Sequence, residues 1–176
     1  NREMPRIHGD GFIHIDDVNF IVPHDEPLLE VSGTTPSDVS ERIGRFVSRL
    51  IQDGDTIQVG FGSLPNAILS NLYGKKHLGV HTELLSDGLV DLMRAGVIDN
   101  SRKTINRGKT VAAFAMGKRD TYRFLHDNPS VLFRTIDFTN NPLNISRLDN
   151  IVAINSALEI DLTGQSTSES IGGRFY

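Results

Sequence analysis

Two segments of the sequence carry residues whose types and spacing suit chemistry. The first is a short glycine-containing run, where free backbone N–H groups and the positive end of a helix dipole favour a phosphate, a carboxylate or an oxyanion. Its members are Gly60, Phe61, Gly62, Ser63, Leu64 and Pro65. The second is Glu83, which follows the next apolar stretch, shortly before Gly88. Because ligands of open parallel sheets bind outside the carboxyl ends of strands, this carboxylate is well placed to react.

Neither segment is specific on its own. A strand-to-helix turn with two glycines is often only a tight turn, and the third glycine of a dinucleotide fingerprint is missing because Pro65 occupies its place. A single glutamate at a strand end, such as Glu83, is commonly just solvated. Pro65 suits the first turn of a helix, and we expect Ser63 to cap that helix.

Short β-branched runs alternate with helical runs along the chain, which predicts the elements that hold these two segments. A first helix opens at Thr34-Thr35-Pro36-Ser37, with Pro36 in its first turn, and is ended by Gly54. Such alternation is typical of βαβ units, so we expect an α/β fold with an open, mostly parallel sheet and helices on both faces. The predicted strands are 56–59, 79–82, 111–115, 131–134 and 151–154, and the predicted further helices are 64–72, 89–94 and 119–125.

Composition excludes several classes of protein. Lys and Arg total 18 against 22 Asp and Glu, so the net charge of -4 offers no general attraction to nucleic acid or to an anionic membrane. The chain has no cysteine, which rules out disulfides, and its apolar runs are too short to span a bilayer. The histidines show no metal-ligand spacing, so we expect His77 and His81 at the surface or in packing. We expect a cytoplasmic protein without nucleic-acid or membrane partners.

Taken together, the two segments resemble the active-site segment of class I coenzyme A transferases. That segment has a glycine turn of the form GxGxxP, then a helix, then a strand ending in a glutamate shortly before a glycine, which Gly60, Gly62, Pro65, Glu83 and Gly88 match. Other stretches resemble the acetyl-CoA hydrolase/transferase branch, which includes 4-hydroxybutyrate and acetate CoA-transferases, so the resemblance covers essentially the whole chain. They are Met4-Pro5-Arg6-Ile7-His8-Gly9, Asp25-Glu26-Pro27-Leu28 and Ile154-Asn155-Ser156-Ala157-Leu158-Glu159-Ile160-Asp161.

The resemblance implies a function and a set of roles. The function is transfer of CoA between an acyl-CoA and a small carboxylate, with Glu83 as the nucleophile that becomes a glutamyl-CoA thioester. The turn 60–65 would bind CoA and supply oxyanion donors, and Asn140 would position the substrate, although which of Asn140 and Asn141 points inward is open. CoA is then a substrate, no metal or permanently bound cofactor is needed, and a homo-oligomer is expected.

The chain is expected to divide into two parts. Residues 1–35 lack a helical period and are broken by glycines and prolines, so we expect a connecting segment from a preceding domain. By the resemblance, residues 36–176 form a partial carboxyl-terminal catalytic CoA-transferase domain. Because the chain starts at Asn1 and stops soon after Ile171-Gly172-Gly173-Arg174, we expect a fragment with an incomplete site and little activity of its own.

Alternatives are open for the chemistry and for single residues. Glu159 also follows a strand and is a rival nucleophile, although no GxGxxP turn precedes it. Water could resolve the glutamyl intermediate, giving an acyl-CoA hydrolase, and a non-catalytic nucleotide-binding or subunit-interaction module could keep the turn without the chemistry. A group of basic residues could meet the CoA phosphates, but a solvated surface is the commoner role. These residues are Lys75, Lys76, Arg102, Lys103, Arg107 and Lys109.

Overall fold

The computed structural model describes residues 1–31 and 36–175. Its helices are α1 (Asp38–Ser48), α2 (Ser63–Ser70), α3 (Asp87–Arg94), α4 (Arg119–Leu125), α5 (Ile136–Thr139) and α6 (Pro142–Ile145), with a 3₁₀ turn at Ile15–Asp17. Its strands are β1 (His8–Gly9), β2 (Thr56–Val59), β3 (Gly79–Val80), β4 (Leu84–Leu85), β5 (Thr110–Ala112), β6 (Phe114–Ala115), β7 (Val131–Phe133), β8 (Ile151–Ile154), β9 (Glu159–Ile160), β10 (Ser166–Thr167), β11 (Ser170–Ile171) and β12 (Arg174–Phe175).

The central sheet is built from two sets of three parallel strands. In one set β7 lies between β1 and β5, and in the other β2 lies between β3 and β8. His81, directly after β3, forms a parallel bridge with Val111 of β5, which joins the sets in the order β1-β7-β5-β3-β2-β8. Strands β4 and β6 continue β3 and β5 and also pair in parallel. The expected α/β fold with a mostly parallel sheet is confirmed.

Elements pack on both faces of this sheet. On one face, Ile57 and Val59 of β2 are buried in a core with Ile68 and Leu69 of α2. Successive side chains of a strand point to opposite faces, so Gln58 between them faces the other side, where α5 and α6 lie. Each large apolar side chain buried in the core stabilises the fold by about 1.5–3 kcal/mol. This core holds the strand ends on which the candidate site is built.

Helix α1 begins later than the sequence pattern predicts. Ser37 is its N-cap, in an extended conformation, and its hydroxyl accepts a hydrogen bond of 3.2 Å from the N–H of Ser40. Pro36 therefore precedes the helix and does not lie in its first turn, because the serine hydroxyl already satisfies the orphan N–H. Thr34 and Thr35, which were included in the predicted start, lie outside the described residues.

Helix α1 packs on α2 through small residues. A Cβ on Gly44 would lie 2.6 Å from the carbonyl oxygen of Ala67, so the two backbones approach closely. Because this contact uses the side of α1 that carries Gly44 and Ser48, Phe46 lies outside it and is 63% exposed. The helix ends at Ser48, ahead of the predicted stop at Gly54.

The amino-terminal segment adds an edge strand to the sheet, because β1 pairs in parallel with β7. The Asp10 carboxylate accepts hydrogen bonds from Arg134 Nε at 2.8 Å and from the N–H of Thr135 at 3.1 Å. The bond from Arg134 is the main reason that the pKa of Asp10 lies below its ordinary value. Residues 8–10 are thus tied to the end of β7, while the assignment of residues 1–35 to a connecting segment stays a prediction.

Two antiparallel hairpins, β9 with β10 and β11 with β12, follow the sheet near the carboxyl end. Most of their side chains are exposed.

The described helices are short, and α1 spans 11 residues. None of the helices in residues 1–31 and 36–175 has the length and apolar character needed to cross a membrane.

Candidate active site

Glu83 lies beyond the carboxyl end of β3, where the strand breaks before β4. Its carbonyl oxygen accepts the N–H groups of both Ala113 (2.9 Å) and Phe114 (3.0 Å). The predicted strand 111–115 is therefore split into β5 and β6, because two successive N–H groups turn towards one carbonyl. Thr82 before it is buried, whereas the Glu83 side chain is exposed. A fixed backbone thus presents an accessible carboxylate.

The glycine turn begins beside Glu83. The hydroxyl of Thr82, one residue before Glu83, contacts the backbone N (3.4 Å) and the carbonyl oxygen (3.3 Å) of Val59, one residue before Gly60. The N–H of Gly60 donates to the carbonyl oxygen of Ile154 at 2.9 Å. The carboxyl ends of β3, β2 and β8 therefore meet at one edge of the sheet, which is where ligands of parallel sheets bind.

The start of α2 corrects the expectation for Ser63. The helix begins at Ser63 itself, and Gly62 is the N-cap without a side-chain cap, because its φ of 130° is one that glycine adopts readily. Pro65 lies buried in the first helical turn, as predicted. Within the described ranges, the N–H groups of Phe61, Gly62, Ser63 and Leu64 meet no protein acceptor. These donors are available to an anion.

Asn140 contacts the carboxylate directly. Its Nδ2 donates to Glu83 Oε2 at 3.0 Å, and its Oδ1 accepts from the hydroxyl of Thr139 at 3.0 Å, which fixes the orientation of the amide. Asn141 instead caps α6, because its Oδ1 accepts from the N–H of Leu143 at 2.9 Å. Of the two asparagines that the sequence left open, Asn140 is therefore the one at Glu83.

Glu83 and Asn140 line a pocket of about 340 Å³ on the α5 side of the sheet. Gln58 and Asn155 exchange two amide hydrogen bonds, of 3.2 and 2.8 Å, at its β2 and β8 side. The pocket thus combines a carboxylate, polar amides and an apolar wall. Its other lining residues are His81, Thr82, Thr139, Ile145, Ile151 and Ala153.

Gln58 and Thr139 are site residues that the sequence reasoning missed. Gln58 stands between Ile57 and Val59, and a polar residue between two apolar ones was an available signal for a polar face. Thr139 lies in a helix of four residues, which is too short to show a period.

His81 is buried beneath α5, with 1% of its surface exposed. Its Nε2 lies 2.8 Å from the carbonyl oxygen of Thr139. Burial, opposed by this hydrogen bond and assisted by the positive charge of Lys103, holds the pKa of His81 below its ordinary value. The histidine therefore packs within the protein, whereas His77 is exposed and pairs with Asp99 at 2.7 Å.

Lys103 corrects the expectation of a solvated basic surface. Only 3% of it is exposed, and its Nζ donates to the carbonyl oxygens of Val80 and Lys109, both at 2.7 Å. Burial lowers the pKa of Lys103 to about 7. The aliphatic stem lies over Gly79, where a Cβ would come within 2.5 Å of it. This lysine supports the strand that leads to Glu83 and is not available to CoA phosphates.

Glu159, the rival nucleophile, lies on β9 outside this pocket. Its side chain is exposed, and its Oε1 accepts a hydrogen bond of 3.1 Å from the N–H of Gly172.

Across residues 1–31 and 36–175, no three histidine, aspartate or glutamate side chains cluster as a metal site would require.

Comparisons with known proteins identify the family of this chain. The family model of the acetyl-CoA hydrolase/transferase C-terminal domain matches residues 117–176. A 4-hydroxybutyrate coenzyme A transferase from Clostridium kluyveri is 47% identical over 172 residues, which are 98% of this chain and 40% of that protein. This chain belongs to the acetyl-CoA hydrolase/transferase family. A succinyl-CoA:cyclohexane-1-carboxylate CoA transferase from Geobacter metallireducens is also 47% identical, over 100% of this chain and 40% of its own length.

Solved structures of the family superpose on the chain. RipA from Yersinia pestis has a TM-score of 0.91 at 43% identity, over 96% of this chain and 39% of that one. A 4-hydroxybutyrate CoA-transferase from Porphyromonas gingivalis has a TM-score of 0.90 at 41% identity, over 94% of this chain and 42% of that one. The resemblance predicted from the sequence is confirmed. The chain spans about 40% of the length of the curated relatives that it matches.

Proposed function

We propose that this chain carries the nucleophile of an enzyme that transfers coenzyme A between an acyl-CoA and a small carboxylate. The strongest support is the Glu83 carboxylate, which is exposed in a pocket beside the turn 60–65 and accepts a hydrogen bond of 3.0 Å from Asn140. A carboxylate has about four acceptor sites, so this single neutral amide orients it and leaves lone pairs free for attack.

The proposed cycle runs through covalent intermediates on Glu83. A carboxylate oxygen attacks the thioester carbonyl of the acyl-CoA, and CoA leaves as a thiolate, which gives an acyl-glutamyl anhydride. The thiolate then attacks the glutamyl carbonyl, forming a glutamyl-CoA thioester and releasing the first acid as its carboxylate. A second carboxylate attacks this thioester and expels the thiolate again. Attack of the thiolate on the new acyl carbonyl releases a new acyl-CoA and restores Glu83.

Donors beside Glu83 suit the charge that develops in this cycle. Each attack on a carbonyl produces a tetrahedral oxyanion, and preorganised donors stabilise such an ion better than water does. The free N–H groups of residues 61–64 stand at the start of α2, where the helix dipole adds to their effect. We assign residues 60–65 to oxyanion stabilisation and CoA binding, and Asn140 to positioning at the acyl group.

The pocket supports a small carboxylate as the second substrate. Its volume of about 340 Å³ and its apolar wall of Ile145, Ile151 and Ala153 suit a short acyl chain. The names of the relatives fit this class, since they include transferases for 4-hydroxybutyrate and for cyclohexane-1-carboxylate. In this proposal CoA is a substrate and not a resident cofactor, residues 36–176 are part of the catalytic domain, and the working enzyme is a cytoplasmic homo-oligomer.

The covalent intermediate provides the test. A polypeptide of the relatives' full length that carries these residues is mixed with an acyl-CoA, and its peptides are analysed by mass. We expect CoA attached to the peptide that holds Glu83. Borohydride should reduce this thioester to a primary alcohol with release of the CoA thiol. Turnover without any modification of this peptide would contradict the proposal.

An acyl-CoA hydrolase is the second candidate, because an acetyl-CoA hydrolase from Saccharomyces cerevisiae is 31% identical over 82% of this chain. Both reactions would pass through the same adduct on Glu83, so the adduct does not separate them. Adding a second carboxylate does. Transfer predicts a new acyl-CoA containing that acid, whereas hydrolysis predicts free CoA at a rate that the added acid does not change.

A further inference from the structure

Two side chains of one short segment hold the end of α5. His81 and Glu83 are two residues apart in the segment between β3 and β4, and both side chains contact the end of α5. His81 Nε2 lies 2.8 Å from the carbonyl oxygen of Thr139, and Glu83 Oε2 lies 3.0 Å from the Asn140 amide nitrogen. Thr139 at the end of α5 and Asn140, its C-cap, thus meet two residues of the segment between β3 and β4, and the two contacts close a small ring of interactions.

The first of these contacts fixes the state of the imidazole. A carbonyl oxygen only accepts, so Nε2 of His81 must carry a hydrogen. Nδ1 is buried and has no partner within the described residues. Protonation there would bury a second N–H without an acceptor, near the charge of Lys103. The ring therefore acts as a neutral donor, in keeping with its lowered pKa.

Helix α5 depends on such external contacts. It has four residues, and a helix of this length does not hold its own shape in water. The centre of the His81 ring lies 6.1 Å from that of the Phe138 ring. The guanidinium of Arg134 lies 3.7 Å from the centre of the Phe138 ring, and its Nε donates to the Asp10 carboxylate. The helix is thus held by a chain of packed side chains, and among the described residues His81 is the side chain that contacts the Thr139 carbonyl.

We infer that His81 is a positioning residue, which holds Thr139 through Nε2 so that the amide of Asn140 is aimed at the Glu83 carboxylate. This inference rests on the proposed role of Glu83 as nucleophile. The link runs through Thr139, since its carbonyl meets His81 and its hydroxyl fixes the Asn140 amide. Without the Nε2–H donor of His81, the Asn140 amide would shift away from the Glu83 carboxylate. A misplacement of about 1 Å costs roughly 10²-fold in rate.

The test uses His81→Leu, His81→Gln, Asn140→Ala and the double variant His81→Leu/Asn140→Ala in the full-length polypeptide. We expect His81→Leu to slow formation of the Glu83 adduct by roughly 10- to 10²-fold without changing the dissociation constant for free CoA. His81→Gln, which keeps an N–H donor at similar reach, should recover most of the rate. In the Asn140→Ala background, His81→Leu should add no further loss, because the two residues act as one unit.

His77→Asn is the matched control, since His77 is exposed before β3 and asparagine suits its φ of 59°. It should leave the adduct rate unchanged. The inference is overturned if His81→Leu keeps the parental rate, or if its loss in the Asn140→Ala background is as large as in the parent.

Crystal structures of the variants separate this inference from the proposed function. We expect the contact between Asn140 Nδ2 and Glu83 Oε2 to be broken in His81→Leu and kept in His81→Gln. If it is kept in His81→Leu, His81 does not position Asn140, whether or not Glu83 is the nucleophile. If it is broken while the parent forms no adduct at Glu83, the positioning stands and the proposed nucleophile is wrong.

Discussion

Glu83 and Glu159 present the same functional group in two different regions. Glu83 stands at the edge of the central parallel sheet, and Thr82 before it is buried. Its carbonyl accepts two N–H groups at the junction of β5 and β6, and the amide of Asn140 holds its carboxylate. Glu159 stands on a two-residue strand of an exposed hairpin, and its carboxylate meets a backbone N–H of Gly172 in the next turn. One carboxylate is held by a core and the other by neighbouring loop residues.

The difference shows what a reactive carboxylate needs beyond its chemistry. Effective attack requires the oxygen to be held in alignment with its target, and alignment comes from packed surroundings. The sheet supplies these surroundings at Glu83, together with the donors of the glycine turn. The hairpin has few buried side chains, and such regions open and close at low free energy. The comparison predicts that changes at the sheet affect chemistry and that changes at the hairpin do not.

The largest effect is expected from Glu83→Gln. Glutamine keeps the size and hydrogen-bonding shape of the side chain but lacks the anionic oxygen, so the adduct should be absent and turnover should be lost. Mass analysis of the peptide after addition of acyl-CoA measures this. Glu159→Gln is the matched control and should keep the adduct on Glu83. If Glu83→Gln retains turnover and Glu159→Gln loses the adduct, the two glutamates have been assigned the wrong way round.

Glu83→Asp should have the next largest effect. Aspartate keeps the charge but withdraws it by about one bond length, and loss of alignment on this scale costs roughly 10²-fold in rate. Single-turnover formation of the adduct is the measurement. Glu159→Asp should leave this rate at the parental value. A Glu83→Asp rate equal to the parental rate would show that the surroundings of Glu83 do not impose a demanding geometry.

Gly62→Ala should weaken the start of α2. Its φ of 130° is strained for alanine, so the substitution should lower the free energy of unfolding by roughly 1–3 kcal/mol, as a urea titration would show. Gly74→Ala is the control, because a Cβ there meets open space. Gly172→Ala, at a φ of 55° in the hairpin, should leave the adduct rate unchanged while Gly62→Ala reduces it. Equal adduct rates in Gly62→Ala and Gly172→Ala would contradict the expected difference between the sheet and the hairpin.

Lys103 should give a smaller, pH-dependent effect. Its pKa is about 7 in the folded chain against 10.5 for an ordinary lysine. Between these two pKa values the unfolded chain binds more protons than the folded chain, so the free energy of unfolding rises with pH. Below about pH 7 the buried lysine is charged in the folded chain, and its destabilising effect is complete. The free energy of unfolding should therefore gain about 1 kcal/mol from pH 7 to pH 8. Lys103→Met should lose this gain, and the exposed Lys76→Met should keep it; an identical slope in Lys103→Met would contradict the burial.

Local patterns in the sequence determined the order and type of the main elements. Strands β2 and β8 and helix α4 lie at the predicted residues. The pattern of apolar residues that predicts each of them lies within four to seven neighbouring residues. The glycine turn and Glu83 were predicted at one edge because parallel strands bring their carboxyl ends together. The order and direction of the strands determine this edge before any side-chain contact is known.

The tertiary structure alone decided which polar residues meet. It selected Asn140 over Asn141, buried Lys103 although its neighbours are polar, and made Gly62 instead of Ser63 the N-cap of α2. Each outcome depends on residues far apart in the chain, such as Thr139 and His81, or on a backbone angle that a residue name does not reveal. Hydrogen bonds form over about 3 Å, so only the packed fold brings such groups within reach.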